Sequence, residues 1–530
     1  MIKQIVTEKY EFNKKGIFLS LFTIGIIGLL FRFYFEPQIA ITGDATNYFV
    51  YAADTSLKGR LSDTYFLANS GWSIFLSMIF STTKLDDPLL LMQLQRSASI
   101  FISVLTIVPI YFLCKKFFNS HYSLIGATLF LFEPHIIINS TLGITEPVFL
   151  LLGISSLVLF LSRNKKIEYF SFVLLGLFSI IRVEGLLFFG IISILYFVKY
   201  KNEKKNYLKY PVMSIIFILI LLPVAYVNFE THQRDGFLSE LSDYSNASYK
   251  NFVEGVPDIG DPLYGKNETA NIQNFVSNGI KNTVWAFGLF SVPLFIILVP
   301  IGIVTVIKNR NNFQIDFQVV AICLVTLITL ITSFYMYARG MEDVRFLFMV
   351  MPFLVMISLY GISKWKIKDR VFIIFAIIGI IMITAFLYMD FKKIDYDYED
   401  EVFFISRFIA ERTDIINSDS ADIRYRTAAG IVAEWPNLPD PVRDSHISKN
   451  VKMLSAAGYQ SLNEFIDVGK ERKLEYIVVD GRDDQPKFLR DVYYNEKEYL
   501  HLEKIFDSND LDFNYHVKIF KINYEVQNEK

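Results

Sequence analysis

The run VFIIFAIIGIIMITAFLY, Val371 to Tyr388, carries no charged side chain from end to end. A helix needs about 20 apolar residues to cross the hydrocarbon core of a bilayer, and this chain repeats such runs. Ile17 to Phe35, Leu89 to Leu113, Pro211 to Val227, Val284 to Ile307, Phe317 to Tyr335 and Phe346 to Ile362 are comparable. A soluble globular fold cannot bury that much apolar surface: the 530 residues are 52% hydrophobic and include 50 Phe and 30 Tyr, with mean hydropathy +0.35. The expected fold is therefore a polytopic α-helical membrane protein.

Between Ser123 and Val198 the apolar runs are shorter and are interrupted by EPHIIINSTLGITEP and RVEG. Two helical hairpins fit this region, which brings the total to roughly eleven spans. Basic residues collect in alternate short loops: Lys14 and Lys15, Lys115 and Lys116, Arg163 to Lys166, Lys199 to Lys209, Lys308 and Arg310, and Lys364 to Arg370. The positive-inside rule puts those loops in the cytoplasm, the N-terminus with them, and everything after Tyr388 outside a cell membrane. No small-residue cleavage site follows the first run, so it reads as a retained span. The acidic stretches Glu36 to Asp87 and Asn228 to Asn282 become outer loops, and N-x-S/T triplets at Asn139, Asn246 and Asn267 fall on the same side.

A net charge of -2 gives no footprint for nucleic acid. Cys114 and Cys323 lie in or beside apolar runs and offer neither a disulfide framework nor a multi-cysteine metal site. Residues 389–530 change character: they are charged, contain no span and read as a soluble α/β domain following a membrane domain of residues 1–388. Val402, Phe403, Ile405, Phe408 and Ile409 recur at helical spacing, EYIVVDG is a strand stopped at Asp480-Gly481, HVKIFKI is a terminal strand, and WPNLPDP is a loop.

Ionisable groups at membrane depth are costly unless they meet water or a partner, which makes them candidates for function. Here they gather on the expected outer side: Asp44 after the first span, Glu133, His135 and Glu146 around the second outer turn, Arg182 and Glu184 in the third, and Arg339, Glu342, Asp343 and Arg345 in the last. A carboxylate and a cation facing one cavity can pass a sugar from a lipid phosphate to a hydroxyl. The carboxylate takes the hydroxyl proton and the cation steadies the departing phosphate. Asp44 suits the first role and Arg345 or Arg339 the second.

The segments GDATNYFVYAADTSLKG, SGWSIFLSMIF and QRSASIFISVLTIVPIYFLCKKFF, followed by NSTLGITEPVFLLL, SIIRVEGLLFFG and EDVRFLFMVMP, occur in this order. Together they resemble the GT-C glycosyltransferases that use polyprenyl-phosphate sugars, most of all the protein mannosyltransferase and aminoarabinose transferase type. The resemblance covers essentially the whole membrane part. It implies a GT-C-like architecture, a polyprenyl- (dolichyl-) phosphate sugar donor held among membrane lipids, a protein, lipid or glycan acceptor, and inversion at the anomeric carbon. Asp44 takes the place of the catalytic aspartate, with Glu146 as a positioning group or metal ligand. Arg345, Arg339 and Arg182 would contact the donor phosphate, and Tyr48, Tyr51, Glu184 and His135 the acceptor or sugar. No cofactor is fixed by the sequence and a divalent metal stays open, because Ala45 stands where many relatives have a second acid. Val183 replaces the usual proline of the third turn, and the W-W-D-Y-G type motif of oligosaccharyltransferases is missing from the C-terminal part.

Each residue also has a plainer role. Asp44 is suited to capping a helix that begins at Ala45, and Glu146, before Pro147, to capping its own. Arg182 and Glu184 are close enough to pair and hold a turn. Arg345 is placed as an interfacial anchor. His135 lacks a convincing ligand set, and Tyr48 and Tyr51 share one face of an amphipathic segment. A transporter, or a scaffold with a binding ectodomain, would also carry polar residues between helices. Transporters usually place them near the midplane of repeated halves, whereas these cluster on one side and no repeat is visible.

Overall fold

The structure, a computed structural model, describes residues 14–37, 39–63, 66–83, 87–162, 164–243, 272–309, 316–364, 371–393, 395–417, 422–435, 452–456, 458–483 and 485–527. They are mostly helical, with a small amount of sheet near the C-terminus. The helices of the first three quarters are α1 (Lys14–Tyr34), α2 (Asp44–Lys58), α3 (Gly71–Thr83), α4 (Pro88–Leu105), α5 (Ile107–Lys115), α6 (Ser120–Leu131), α7 (Pro134–Ser140) and α8 (Glu146–Phe160). They continue as α9 (Ile167–Ile181), α10 (Glu184–Lys199), α11 (Tyr210–His232), α12 (Ile272–Ser291), α13 (Phe295–Lys308), α14 (Phe317–Ala338), a 3-10 segment (Val344–Val350), α15 (Met351–Ser363) and α16 (Val371–Phe391).

Among the described residues, six helical stretches are long and apolar enough to cross a membrane, or up to eight if each of two bent pairs is one span. The surface of α16 shows why: Phe372 and Phe391 are each 82% exposed, a burden that only lipid relieves. The expected run Val284 to Ile307 is not one straight helix. It breaks between α12 and α13 and bends there by 102°. Pro293 lies in the break, and a proline inside a helix removes a backbone donor and clashes with the preceding turn. The stretch 120–199 includes five helices: α6 and α7, which meet at a 54° bend, then α8, α9 and α10.

The chain divides into two compact units. The first comprises Met1–Glu36, Tyr65–Phe75 and Arg96–Lys393, and the second Pro37–Thr64, Leu76–Gln95 and Ile394–Lys530. Inside the first, Arg32 of α1 is fully buried and fully engaged. It donates to Ser140 Oγ at 3.1 Å, to Ser103 Oγ at 3.1 Å, to the Leu131 carbonyl at 2.9 Å and to Gly28 O at 3.1 Å. Four hydrogen bonds offset the desolvation of the guanidinium and tie α1 to α4, α6 and α7. Phe31 adds edge-to-face contacts with Phe132 and Phe386, and aromatic pairs in this geometry add to what burial alone supplies.

In the second unit, α17 (Tyr396–Ala410), α18 (Arg426–Glu434), α19 (Leu462–Glu471) and α20 (Lys487–Tyr494) accompany five strands: β1 (Ile415–Asn417), β2 (Lys452–Leu454), β3 (Tyr476–Val479), β4 (Leu502–Asp507) and β5 (Lys518–Ile522). β1 pairs in parallel with β2, while β3, β5 and β4 form an antiparallel sheet in that order. Asn417 bridges the two sheets: its Nδ2 donates to Val478 O at 2.8 Å and its Oδ1 accepts from Val478 N at 2.7 Å. The side-chain amide thereby takes the place of one more backbone pair. Leu462, Phe465 and Ile466 pack on Ile477, Val479 and Phe520 to make the core. The helix expected around Val402 to Ile409 and the strands at EYIVVDG and HVKIFKI are all present. WPNLPDP after Trp435, and the triplets at Asn246 and Asn267, lie outside the described residues. Asn139 is 7% exposed inside α7, so that triplet is packed into the protein rather than displayed.

Candidate functional site

Three turns of the first unit deliver charged side chains to one place. The first is RVEG, where α9 stops at Ile181 because Arg182 adopts extended backbone angles, φ -150° and ψ 134°. α10 restarts at once, and the tight reversal brings Gly185 against Ser179: a Cβ on Gly185 would lie 2.6 Å from both the Cα and the N of Ser179. Only glycine tolerates that approach. The reversal turns Arg182 back over its own turn, where Nη2 meets Glu184 Oε1 at 2.7 Å and Nε the same oxygen at 3.2 Å.

The second turn precedes α8. The helix is capped at Thr145, without a side-chain cap bond, and Glu146 sits in its first turn. Glu146 does not cap; its carboxylate points elsewhere. Oε1 accepts from Arg182 Nη1 at 2.8 Å and lies 3.6 Å from Arg345 Nη1, and Thr145 Oγ1 donates to Oε2 at 3.3 Å. Glu146 is 1% exposed, and a carboxylate so buried is tolerable only when cations and donors surround it. The Arg182 guanidinium also lies 5.2 Å from the centre of the Phe149 ring, which stacks on Phe178.

The third turn carries Arg345 at the start of the 3-10 segment. Asp343 caps it by accepting from Arg345 N at 2.9 Å and also pairs with Arg345 Nε at 3.0 Å. Tyr337 Oη donates to Asp343 O at 2.9 Å and Ser333 Oγ to Phe346 O at 2.6 Å, so the last turns of α14 pin the segment. Two guanidiniums thus share one buried carboxylate, with Glu184 and Asp343 flanking. Such an arrangement holds two cations close together without mutual repulsion deciding the geometry, and leaves them a short swing from any anion that enters.

The other predicted residues lie elsewhere. Arg339 ends α14, with its guanidinium 5.8 Å from the centre of the Tyr335 ring, and is not one of the arginines paired with Glu146. His135 and Glu133 form their own pair at 2.8 Å, Glu133 caps α7 through Ile136 N, and the imidazole stands between Phe290 and Tyr388. Among the described residues no group of three or more His, Cys, Asp or Glu is gathered as metal ligands would be.

In the second unit, Asp44 is exposed at the first position of α2. The cap residue is Gly43, so the expectation that Asp44 caps a helix starting at Ala45 is corrected by one position. Gln95, fully buried, donates from Nε2 to Ala45 O at 3.0 Å and fixes the adjoining peptide. Tyr48 and Tyr51, read as sharing one face of an amphipathic segment, are both buried, at 8% and 1% exposed. At the far end of α2, Lys58 bridges Asp54 at 3.1 Å and Asp63 at 2.8 Å, and Ser62 donates to Asp54 at 2.6 Å. Burial alone would lower the Lys58 ammonium, but its hydrogen bonds to Asp63 and Asp54 raise it above the ordinary lysine value. The Lys58 bond holds Asp63 below the ordinary aspartate value.

Two residues escaped the sequence reading as anything but part of a motif. Gly71 and Trp72 open α3, and both meet the turns just described. A tryptophan in the first turn of an apolar helix was the available signal, but its partner is a backbone carbonyl far along the chain, which no local pattern reports.

No protein-family model matches the chain, and no curated protein matches it. Among solved structures, an archaeal oligosaccharyltransferase, AglB from Archaeoglobus fulgidus in complex with an inhibitory peptide and a dolichol-phosphate, is similar over 91% of this chain and 72% of that one, at 12% identity and TM-score 0.49. ArnT from Cupriavidus metallidurans bound to undecaprenyl phosphate is similar over 96% of this chain and 98% of that one, at 9% identity and TM-score 0.43.

Proposed function

We propose that this chain is an integral-membrane glycosyltransferase of GT-C type. It moves one sugar from a polyprenyl-phosphate carrier to an acceptor on the outer face of the membrane, with inversion. The observation that carries the reading is the convergence of Arg182 and Arg345 on the buried carboxylate of Glu146. Phosphate ester cleavage needs positive charge where the leaving oxygens develop negative charge, in a place shielded from water. Arg345 is the chief phosphate contact; it is held by Asp343, which is 45% exposed and so gives way more readily than the buried Glu146. Arg182 seconds it, and Glu146 sets the spacing of both.

Asp44 is the general base in this reading, a role taken from the motif order and consistent with its exposure at the head of α2. Sugar transfer through an oxocarbenium-like transition state requires only late proton removal, which a carboxylate can provide. Glu184 and His135 are acceptor-side groups, with Tyr48 and Tyr51 shaping the segment behind Asp44. The reading counts about eleven spans, a cytoplasmic N-terminus, a membrane domain of residues 1–388 and an extracytoplasmic domain of residues 389–530.

Mass spectrometry of surface glycans and lipid-linked sugars in a deletion strain tests it. The strain should accumulate an unused donor or a truncated glycan, restored by the wild-type chain and not by Asp44→Asn or Arg345→Ala. Unchanged glycans and lipid-linked sugars in the deletion strain would overturn the proposal.

A further inference from the structure

Gly71 and Trp72 stand where the first turn of α3 meets two of the three turns that build the charged cluster. The Trp72 indole is fully buried, and its Nε1 donates to Gly143 O at 3.0 Å. Gly143 lies in the short turn that ends at Glu146. On the neighbouring residue, a Cβ added to Gly71 would come within 2.9 Å of both the carbonyl carbon and the oxygen of Ile180. Ile180 belongs to the last turn of α9, just before Arg182. One turn of helix therefore touches the backbone on both sides of the Glu146–Arg182 ion pair.

The packing around this turn is continuous. Ile74 joins Ile180, Val224 and Phe237 in one apolar cluster together with Leu186, and Trp72 stacks on Phe75 with ring centres 5.7 Å apart. A dense apolar environment transmits a shift of one element to its neighbours rather than absorbing it. The indole has no route to a substrate, since it is enclosed. Its one polar atom is spent on a loop carbonyl.

We propose that Gly71 and Trp72 are positioning residues that brace the turns carrying Glu146 and Arg182 and so set the spacing of the groups that receive the lipid-linked phosphate. The role of those groups rests on the proposed function; the bracing does not. Trp72→Phe keeps the apolar bulk and deletes the donor, and Gly71→Ala drives a methyl group into the Ile180 peptide. Misplacing a binding group by a fraction of an ångström to an ångström lowers its effectiveness by roughly 10-fold or more.

The test uses the full-length protein in lipid nanodiscs with two measurements. The first is affinity for a radiolabelled polyprenyl monophosphate, for wild type, Trp72→Phe, Arg182→Ala and the double variant. The expected result is a loss of about 10-fold for Trp72→Phe that shrinks toward nothing when Arg182 is already alanine, since residues acting through one another are not additive. The second is amide hydrogen exchange in peptides covering residues 141–146 and 180–185. Trp72→Phe should speed exchange in the first and Gly71→Ala in the second, with Tm little changed for Trp72→Phe. If wild type binds the lipid and Trp72→Phe binds equally well, or loses the same factor with and without Arg182, the positioning role is overturned. If wild type binds no polyprenyl phosphate, the functional reading fails, and exchange alone decides the bracing: faster exchange upholds it, unchanged exchange ends it.

Discussion

Arg182 joins two carboxylates from different turns: Nη1 meets Glu146 at 2.8 Å while Nη2 meets Glu184 at 2.7 Å. Glu146 has almost no access to water, so Arg182 is structural before it is anything else. Arg182→Ala strands a buried carboxylate whose next cation, Arg345, lies 3.6 Å away. Breaking a buried pair from one side costs about 3–5 kcal/mol, and a large fall in the thermal unfolding midpoint in detergent is expected. The double replacement Arg182→Met with Glu146→Leu should recover most of that stability. If the single variant unfolds at the wild-type temperature, the pair does not hold these turns.

Arg345 has a different balance. Its partners can each do without it: Asp343 is 45% exposed and stays hydrated, and Glu146 retains Arg182. Arg345→Ala should therefore leave the unfolding midpoint near that of wild type and reduce sugar transfer by about 10²–10³-fold, the usual loss when one stabilising donor is removed from an active site. Arg345→Lys should recover only part of the activity, because an ammonium cannot reproduce a planar two-pronged contact with phosphate. Initial rates of lipid-phosphate release from a purified donor decide this; full activity in Arg345→Lys would show that only charge matters there.

Asp44 offers the cleanest separation of chemistry from folding. It is exposed, and the Gln95 amide holds the adjoining peptide through Ala45 O. Asp44→Asn should thus preserve expression and thermal stability while lowering transfer by about 10²–10⁴-fold, the range expected for loss of a general base. Rate measurements on the purified variant check it. A variant of unchanged stability and unchanged rate would remove the base from Asp44.

The long apolar helices were legible because a run such as Val371 to Tyr388 is recognised by length and the absence of charge, without knowledge of its neighbours. The Arg182–Glu184 pair was legible for a similar reason: the partners are two positions apart. Glu146 and Arg182 are 36 positions apart, and no periodicity reports a contact made through folding. Arg339 and Arg345 looked equivalent in the sequence; the end of α14 separated them by placing one over Tyr335 and the other beside Glu146. The sharp bend at Pro293 had its local sign, a proline in the middle of an apolar run, but the sequence does not say whether such a proline kinks a span or divides it.

The second unit carries a pH dependence of its own. Burial would raise the carboxyl of Asp422, but the hydrogen bonds and charge of Arg424 outweigh it and hold the group below the ordinary aspartate value of 3.8. Tyr398 donates to the same carboxylate at 3.2 Å, and Arg424 also reaches Glu399 at 2.8 Å, so the ionised form links the loop after β1 to α17. A carboxyl with a depressed folded-state value binds its proton more readily when unfolded. Its stabilisation is therefore complete above pH 3.8 and is lost as the pH falls from there through the lower folded-state value. Hydrogen exchange of peptides from residues 395–410 and 422–434, followed from neutral to acid pH and corrected for intrinsic rates, should show protection falling in that window. Asp422→Asn should begin less protected at neutral pH and lose less on acidification. Equal acid dependence in the wild type and the variant would mean that the protecting charge sits on another residue.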